Sequence, residues 1–204
     1  MVTIIDYGVG NINAFVNVYN RLNIKTKIAK SSAELDDAQK IILPGVGSFD
    51  YAMERLNESG MRERLDELVL NQKIPVLGIC VGMQMMANKS EEGNAEGLKW
   101  INARVVKFDP ERINFVTKLP HMGWNDVTPS KTNKLFENLE KESIFYFLHS
   151  YYFKCENEQD CIAKSEYGDF FTSAINNENI YGIQFHPEKS HKYGEVLLTN
   201  FAKL

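Results

Sequence analysis

Cysteine is scarce in this 204-residue chain: Cys80, Cys155 and Cys161 are three, an odd number too small for a disulfide framework. An excess of one charge is equally lacking. Lysine plus arginine number 23 against 27 aspartate plus glutamate, a net −4 that excludes a strongly electropositive nucleic-acid binder. No apolar run approaches the ~18 residues that a membrane helix needs. The start, MVTIIDYG, lacks the layout of a secretory signal. Neither nucleic acid nor membrane is therefore expected as a partner, and a soluble, cytoplasmic protein is. Internal repeats, low-complexity tracts and Pro/Gly/Ser-rich linkers are also missing, so one domain spanning residues 1–204 is the economical reading. No Cys/His cluster has zinc-ligand spacing, and no metal or organic cofactor is expected. What remains is ordinary: 44% hydrophobic and 25% charged residues, enough for a packed core.

The first half alternates short apolar runs with helical patterns, the signature of βαβ units. Strands are expected at Val2 to Asp6, Thr26 to Ala29, around Ile41, Ile42 and Leu43, and at Ile74 to Ile79. Helices are expected at Asn11 to Leu22, Met61 to Gln72 and Val81 to Ala87. The second half is richer in strand-like runs: Val105 to Phe108, Ile144 to Phe153, Cys161 to Ser165, Phe170 to Asn176 and Ile180 to Phe185. A hairpin turn is expected at Asn176 to Asn179. A last helix starts at Ser190, with Val196, Leu197 and Phe201 facing the core. The fold class is α/β: an open, mostly parallel sheet flanked by helices, with an antiparallel extension.

Three segments carry chemistry. Gly78-Ile79-Cys80-Val81-Gly82 lies where a buried strand meets a helix, and a Gly-x-nucleophile-x-Gly turn there exposes its middle side chain at the end of the sheet. The helix start beside Cys80 favours a thiolate. A buried structural cysteine fits the same five residues. Gln184-Phe185-His186-Pro187-Glu188 follows the last strand, so His186 can act as a base and Glu188, two residues on, can orient it. Alone, that pair is also compatible with an ordinary surface histidine. Pro44-Gly45-Val46-Gly47 leaves the same sheet edge as Cys80, and its backbone N–H groups, with that of Val81, could hold an oxyanion.

Taken jointly, these segments resemble class I, triad-type glutamine amidotransferases, which are flavodoxin-like in fold. Within that class they are most similar to the glutaminase subunits of imidazole glycerol phosphate synthase. The matching stretches are Asp6 to Asn11, Leu43 to Phe49, Gly78 to Gln84, Pro120-His121-Met122-Gly123-Trp124-Asn125 and Gly182 to Ser190, in order along the whole chain. The resemblance implies a triad of Cys80, His186 and Glu188 and an oxyanion hole from Gly45, Val46 and Val81. It implies contacts to L-glutamine from Gly47, Gln84, Glu92, Tyr146, His149, Ser150 and Tyr151, with Glu92 facing the α-ammonium. For Tyr146 a partly buried aromatic strand position reads equally well. The implied partner is a (β/α)8-barrel cyclase subunit forming a heterodimer, docked on Tyr7 to Asn13 and His121 to Asn125. Asn11, Asn13, His121 and Trp124 are the named contacts, although Trp124 could instead cap the core.

The chemistry so implied is hydrolysis of glutamine to glutamate and ammonia through a thioester on Cys80. Other readings of the residues are a cysteine hydrolase or protease of similar architecture and a non-catalytic binding subunit. After Cys80 the chain reads VGMQMMANKSEEG, where the histidine-pathway family more often has leucine after the cysteine. That departure leaves room for a paralogous glutaminase feeding ammonia to a different synthase, for example one aminating a nucleotide-linked or surface sugar.

Overall fold

Apolar runs buried on both faces become the centre of a sheet, as Val2–Ile5, Ile41–Gly45 and Val76–Cys80 do, each buried along its whole length. A computed structural model describes residues 1–139 and 143–204. In chain order the elements are β1 (Val2–Ile5), α1 (Ile12–Arg21), β2 (Thr26–Ala29), β3 (Ile41–Gly45), α2 (Phe49–Glu58), α3 (Arg62–Asp66), β4 (Val76–Cys80), α4 (Val81–Gln84), β5 (Lys89–Ser90) and β6 (Ala103–Lys107). They continue with β7 (His121–Asp126), β8 (Thr128–Pro129), β9 (Ile144–His149), β10 (Tyr151–Cys155), β11 (Cys161–Tyr167), β12 (Asp169–Asn177), β13 (Ile180–Ile183) and α5 (His191–Lys203).

The main sheet runs β2-β1-β3-β4-β13-β12-β10-β6-β5. Its first five strands are parallel, and β13, β12, β10 and β6 continue it antiparallel, so the expected mostly parallel sheet with an antiparallel extension is what forms. The register sets Gly45 beside Cys80 and Gly182 beside Gly78. Three carboxyl ends, those of β3, β4 and β13, therefore meet at one edge. A ligand belongs there in an open α/β sheet.

The structure departs from the sequence reading in several places. The helix α2 is an addition to the expected elements, its start masked by the Pro-Gly-Val-Gly run. Ser48 caps it with its side chain, and it buries Phe49, Ala52, Met53 and Leu56 at helical spacing. The helix expected from Met61 to Gln72 is α3 followed by a wider turn over Glu67–Asn71, closed by Gln72 N–H to Glu67 O at 3.1 Å. The helix after Cys80 is one turn long and tightens into i→i+3 bonds at Met86 and Ala87. So short a helix carries little macrodipole, and the expected field at Cys80 is correspondingly small. Ile144 to Phe153 is two strands, not one. It breaks at Ser150, with β9 pairing β7 in a separate two-stranded sheet and β10 joining the main sheet. On α5 the core face is Gly194, Leu197, Leu198 and Phe201, while Val196 is half-buried.

Candidate active site

The tight strand-to-helix turn at Cys80 has a steric origin. Cys80 adopts φ +55°, a left-handed conformation that costs a non-glycine residue about 1–3 kcal/mol and persists only where its surroundings enforce it. Gly82 supplies the room: a Cβ there would sit 1.9 Å from Leu43 O. Side chains are excluded on both sides of the crossing, since a Cβ on Gly45 would lie 2.4 Å from Gly82 N.

β13 delivers the base. His186 N–H donates to Tyr146 O at 2.8 Å, and Ser190 Oγ donates to His186 O at 2.6 Å while accepting from Tyr146 N–H at 3.1 Å. The segment is thus clamped to β9 at both ends. Ser190, expected as a helix cap, makes no capping bond and serves this clamp instead. His186 Nδ1 lies 2.8 Å from Glu188 Oε1, so Nδ1 carries a proton toward the carboxylate and Nε2 faces Cys80. Burial by itself would strip the charge from His186. Hydrogen bonds to Cys80 and Glu188, and their negative charge, outweigh it and hold the imidazole pKa up at about 10.

A second, uncharged relay approaches the sulfur from the other side. Asn125 Nδ2 donates to His121 Nε2 at 3.3 Å, and His121 Nδ1 faces His149 Nε2 at 3.1 Å. His149 Nδ1 then donates to Tyr151 O at 2.8 Å. Since Tyr151 O can only accept, each ring's tautomer is fixed along the chain. Burial pushes the His121 pKa down to about 4 and that of His149 down to about 3, the latter helped by the neighbouring His121. Tyr151 O accepts again from Gln84 Nε2 at 3.0 Å, and the same nitrogen donates to Gln184 Oε1 at 3.0 Å. Both amide hydrogens of Gln84 are spent inward, leaving its carbonyl oxygen for any ligand.

Val46, Gly47, Cys80, Val81, Gln84, Glu92, His149, Ser150, Tyr151 and His186 surround a cavity of about 310 Å³, together with Pro120, Leu148 and Lys189. That volume sits at the small end of ligand sites. Leu148 lies in the segment Tyr146 to Tyr151 from which contacts are expected; Pro120 and Lys189 are additions, although both fall within the stretches that carry the resemblance. Tyr146 does not line the cavity. It packs on Trp124 and lies under Lys189 Nζ at 5.4 Å, and its backbone holds His186. Glu92 Oε2 accepts from Phe49 N–H at 2.8 Å, capping α2, so one oxygen is committed to structure. Gly45 stands behind the cavity as the register partner of Cys80.

On the expected docking face, Asn11 and Asn13 are exposed, and Trp124 at 45% exposure does not cap the core. Trp124 stacks on His191 at 5.3 Å, a contact with no sequence signal. His121 and Tyr7, at 4% and 2% exposure, are interior and cannot present side chains to a partner; His121 is a link of the relay. Met122, within the same stretch, is exposed as well. Among the described residues no three His, Cys, Asp or Glu side chains are grouped as metal ligands would be.

A cysteine held at positive φ, an imidazole paired with a buried carboxylate, and a small cavity at a sheet edge are the parts that an enzyme using a cysteine nucleophile needs. A model of the family described as Glutamine amidotransferase class-I matches residues 3–204. The chain is 55% identical over 204 residues to Imidazole glycerol phosphate synthase subunit HisH of Leptospira borgpetersenii, covering 100% of both. It is 54% identical to the protein of the same name in Leptospira interrogans, again covering 100% of both. In fold it is similar to a glutamine amidotransferase from Thermotoga maritima solved by crystallography, with TM-score 0.64 at 20% identity, over 92% of this chain and 75% of that one. The chain belongs to the class I glutamine amidotransferases and, within them, to the HisH subunits of imidazole glycerol phosphate synthase.

Proposed function

We propose that Cys80, His186 and Glu188 form a catalytic triad that hydrolyses the side-chain amide of L-glutamine. The observation that carries this is the buried His186–Glu188 contact of 2.8 Å beside a cysteine locked at φ +55° on the cavity wall. The Cys80 thiolate attacks the amide carbon, and the oxyanion is held by backbone N–H groups of Val81 and of the Gly45–Val46 loop. His186 gives its proton to the departing ammonia, leaving a γ-glutamyl thioester. His186 then takes a proton from water as it attacks the thioester; the C–S bond breaks and glutamate leaves. Gly47, Gln84, Glu92, His149, Ser150 and Tyr151 surround the substrate, with Glu92's second oxygen meeting the α-ammonium.

The ammonia passes to a (β/α)8-barrel cyclase subunit docked over Trp124 and Met122 in a cytoplasmic heterodimer, which makes imidazole glycerol phosphate and AICAR for histidine biosynthesis. Residues 1–204 act as one amidotransferase domain. No cofactor takes part in this reaction. Free ammonia in water is mostly ammonium and a poor nucleophile, so hydrolysis without a partner wastes glutamine. The Gly45–Val46 peptide is the gate: docking favours the orientation that completes the oxyanion hole. One missing oxyanion donor costs roughly 10²–10³ in rate.

Glutaminase and cyclase assays with and without the partner test this. C80A should abolish ammonia release while free ammonia at high pH still supports the cyclase, and wild-type turnover should rise at least ~100-fold on docking. Wild-type ammonia release by C80A would refute the triad. Equal rates with and without partner would refute the gate, and amination of an acceptor by a different synthase would redirect the pathway.

A further inference from the structure

Gln184 lies just beyond β13 and is 0% exposed, yet the triad and the substrate contacts leave it without a task. A fully buried primary amide is costly unless every polar atom is used. Its Oε1 accepts from Gln84 Nε2 at 3.0 Å, and its Nε2 lies 3.7 Å from Cys80 Sγ, within reach of an N–H···S bond. The orientation is forced. Gln84 uses one amide hydrogen on Tyr151 O and the other on Gln184 Oε1, so a flipped Gln184 would set NH2 against NH2 and a carbonyl against the sulfur. Leu148 O, 4.0 Å from the sulfur, is an acceptor that can serve only the protonated thiol.

We propose that Gln184 is a further catalytic residue: its side-chain N–H donates to the Cys80 sulfur and steadies the thiolate. The inference rests on the reading of Cys80 as nucleophile. No bond to Gln184 forms or breaks. The N–H supports the thiolate before attack, and again when the C–S bond of the thioester breaks and the electron pair returns to sulfur. The titratable groups that face the sulfur are His186, backed by Glu188, and Tyr7, and a change at Gln184 leaves all three in place.

The test is the pH profile of Cys80 alkylation by iodoacetamide in the full chain, read by mass spectrometry on the Cys80 peptide so that Cys155 and Cys161 do not contribute. Wild type, Q184M and Q184E are compared. Loss of a charge-assisted hydrogen bond should move the Q184M profile about one unit toward higher pH, a tenfold change at fixed pH. Glutamine turnover with the partner should fall about 10- to 100-fold on the same grounds. Q184E, which sets a like charge beside the sulfur, should move the profile at least as far. A Q184M profile superimposable on wild type, with turnover within about twofold, overturns the proposal. Circular dichroism checks folding; should Q184M not fold, Q184L, which also lacks a donor, decides in its place, and an unmoved profile overturns. A wild-type complex with the partner that releases no ammonia would defeat the glutaminase reading, while the alkylation profiles would still decide the bond from Gln184 to sulfur.

Discussion

Acid should destabilise this protein through the pair His121 and His149, and the size of the effect follows from their surroundings. Both rings are neutral links in a polar relay, and a proton added to either would set N–H against N–H or leave a buried charge without a counter-ion. Their pKa values, down at about 4 for His121 and about 3 for His149, compare with about 6.5 in the unfolded chain. Groups whose pKa is depressed by folding contribute stability that is present above pH 6.5 and is lost as pH falls through their folded values. At pH 4 one such ring is worth about 3 kcal/mol. The second adds a similar amount, about 6 kcal/mol for the pair, since the unfolded chain takes up both protons and repulsion between the rings only keeps the folded state from doing so. Against a total of roughly 5–15 kcal/mol, even one ring is a large fraction. His186 works in the opposite sense: its raised pKa contributes stability fully present below pH 6.5 and lost as pH rises through about 10. The assay is urea denaturation at pH 7 and pH 4 for wild type and the double variant H121F/H149L. The variant will be less stable at pH 7, because Tyr151 O and Asn125 lose partners. Its further loss on going to pH 4 should be smaller than that of wild type by about 6 kcal/mol, two rings at about 3 kcal/mol each. Carboxylate titration is common to both proteins and cancels. Equal acid losses in the two would refute the assignment of neutral, proton-excluding rings.

Replacing the triad carboxylate tests a different dependence. E188Q removes a partner that holds the proton on His186, so the alkaline limb of kcat/KM should move to lower pH with partial activity retained, whereas H186A should be inactive; an unmoved limb would sink the orienting role. Tyr7 Oη donates to Pro44 O at 2.7 Å in the interior, and Y7F should cost about 1–3 kcal/mol in urea denaturation by leaving that carbonyl unpaired, a loss below about 0.3 kcal/mol counting against it. G82A places a methyl 1.9 Å from Leu43 O and should unfold the elbow or lower stability by more than about 3 kcal/mol; a wild-type denaturation curve would contradict the steric account.

Much of the fold is legible in local pattern where one element buries one kind of surface. Val76–Cys80 is apolar without alternation because it is covered on both faces, and Thr26–Ala29 forms a strand at its expected limits. The departures share a cause: they depend on partners far along the chain. Ile144 to Phe153 is aromatic and apolar apart from His149 and Ser150, and two polar residues within such a run do not by themselves say that it leaves β7 for β6 and β12 there. β7 itself, His121–Asp126, contains Gly123 and alternates weakly, so only β9 makes it a strand. The exception is α2, whose signal is local: Phe49, Ala52, Met53 and Leu56 have helical spacing behind the glycine-rich loop that obscures it. The site residues divide the same way. Cys80, His186 and Glu188 announce themselves by residue type and spacing. The interior position of His121, the helix cap made by Glu92 and the placement of Gln184 behind the sulfur are consequences of packing, and no spacing rule contains them.

The break at Ser150 has a chemical consequence. Were β9 and β10 one strand, His149 and Tyr151 would point to one side of one sheet. The turn instead sets the His149 ring against the Tyr151 carbonyl, which becomes the meeting point of two N–H donors, one from β9 and one from the helix after Cys80. From there bonds lead to Gln184 and the sulfur, and in the other direction to His121 and Asn125 on β7, the strand that also carries exposed Trp124. A second line runs from Tyr7, in the loop after the first strand, to Pro44 O, one residue before the glycine proposed to gate the oxyanion hole. Both lines end at the two places where charge develops during amide cleavage, the sulfur and the oxyanion. A partner seated as proposed on Trp124 and Asn11 would lie next in sequence to Asn125 on the first line and four residues from Tyr7 on the second. It can alter the inner ends only by binding one arrangement of these bonds better than another, because a ligand shifts an equilibrium by no more than its difference in affinity for the two states. The sulfur line has fixed tautomers throughout and leaves no second arrangement open without a proton move. The Gly45–Val46 peptide has no such constraint from the relay, which is the reason for proposing the gate at the oxyanion hole and not at the nucleophile.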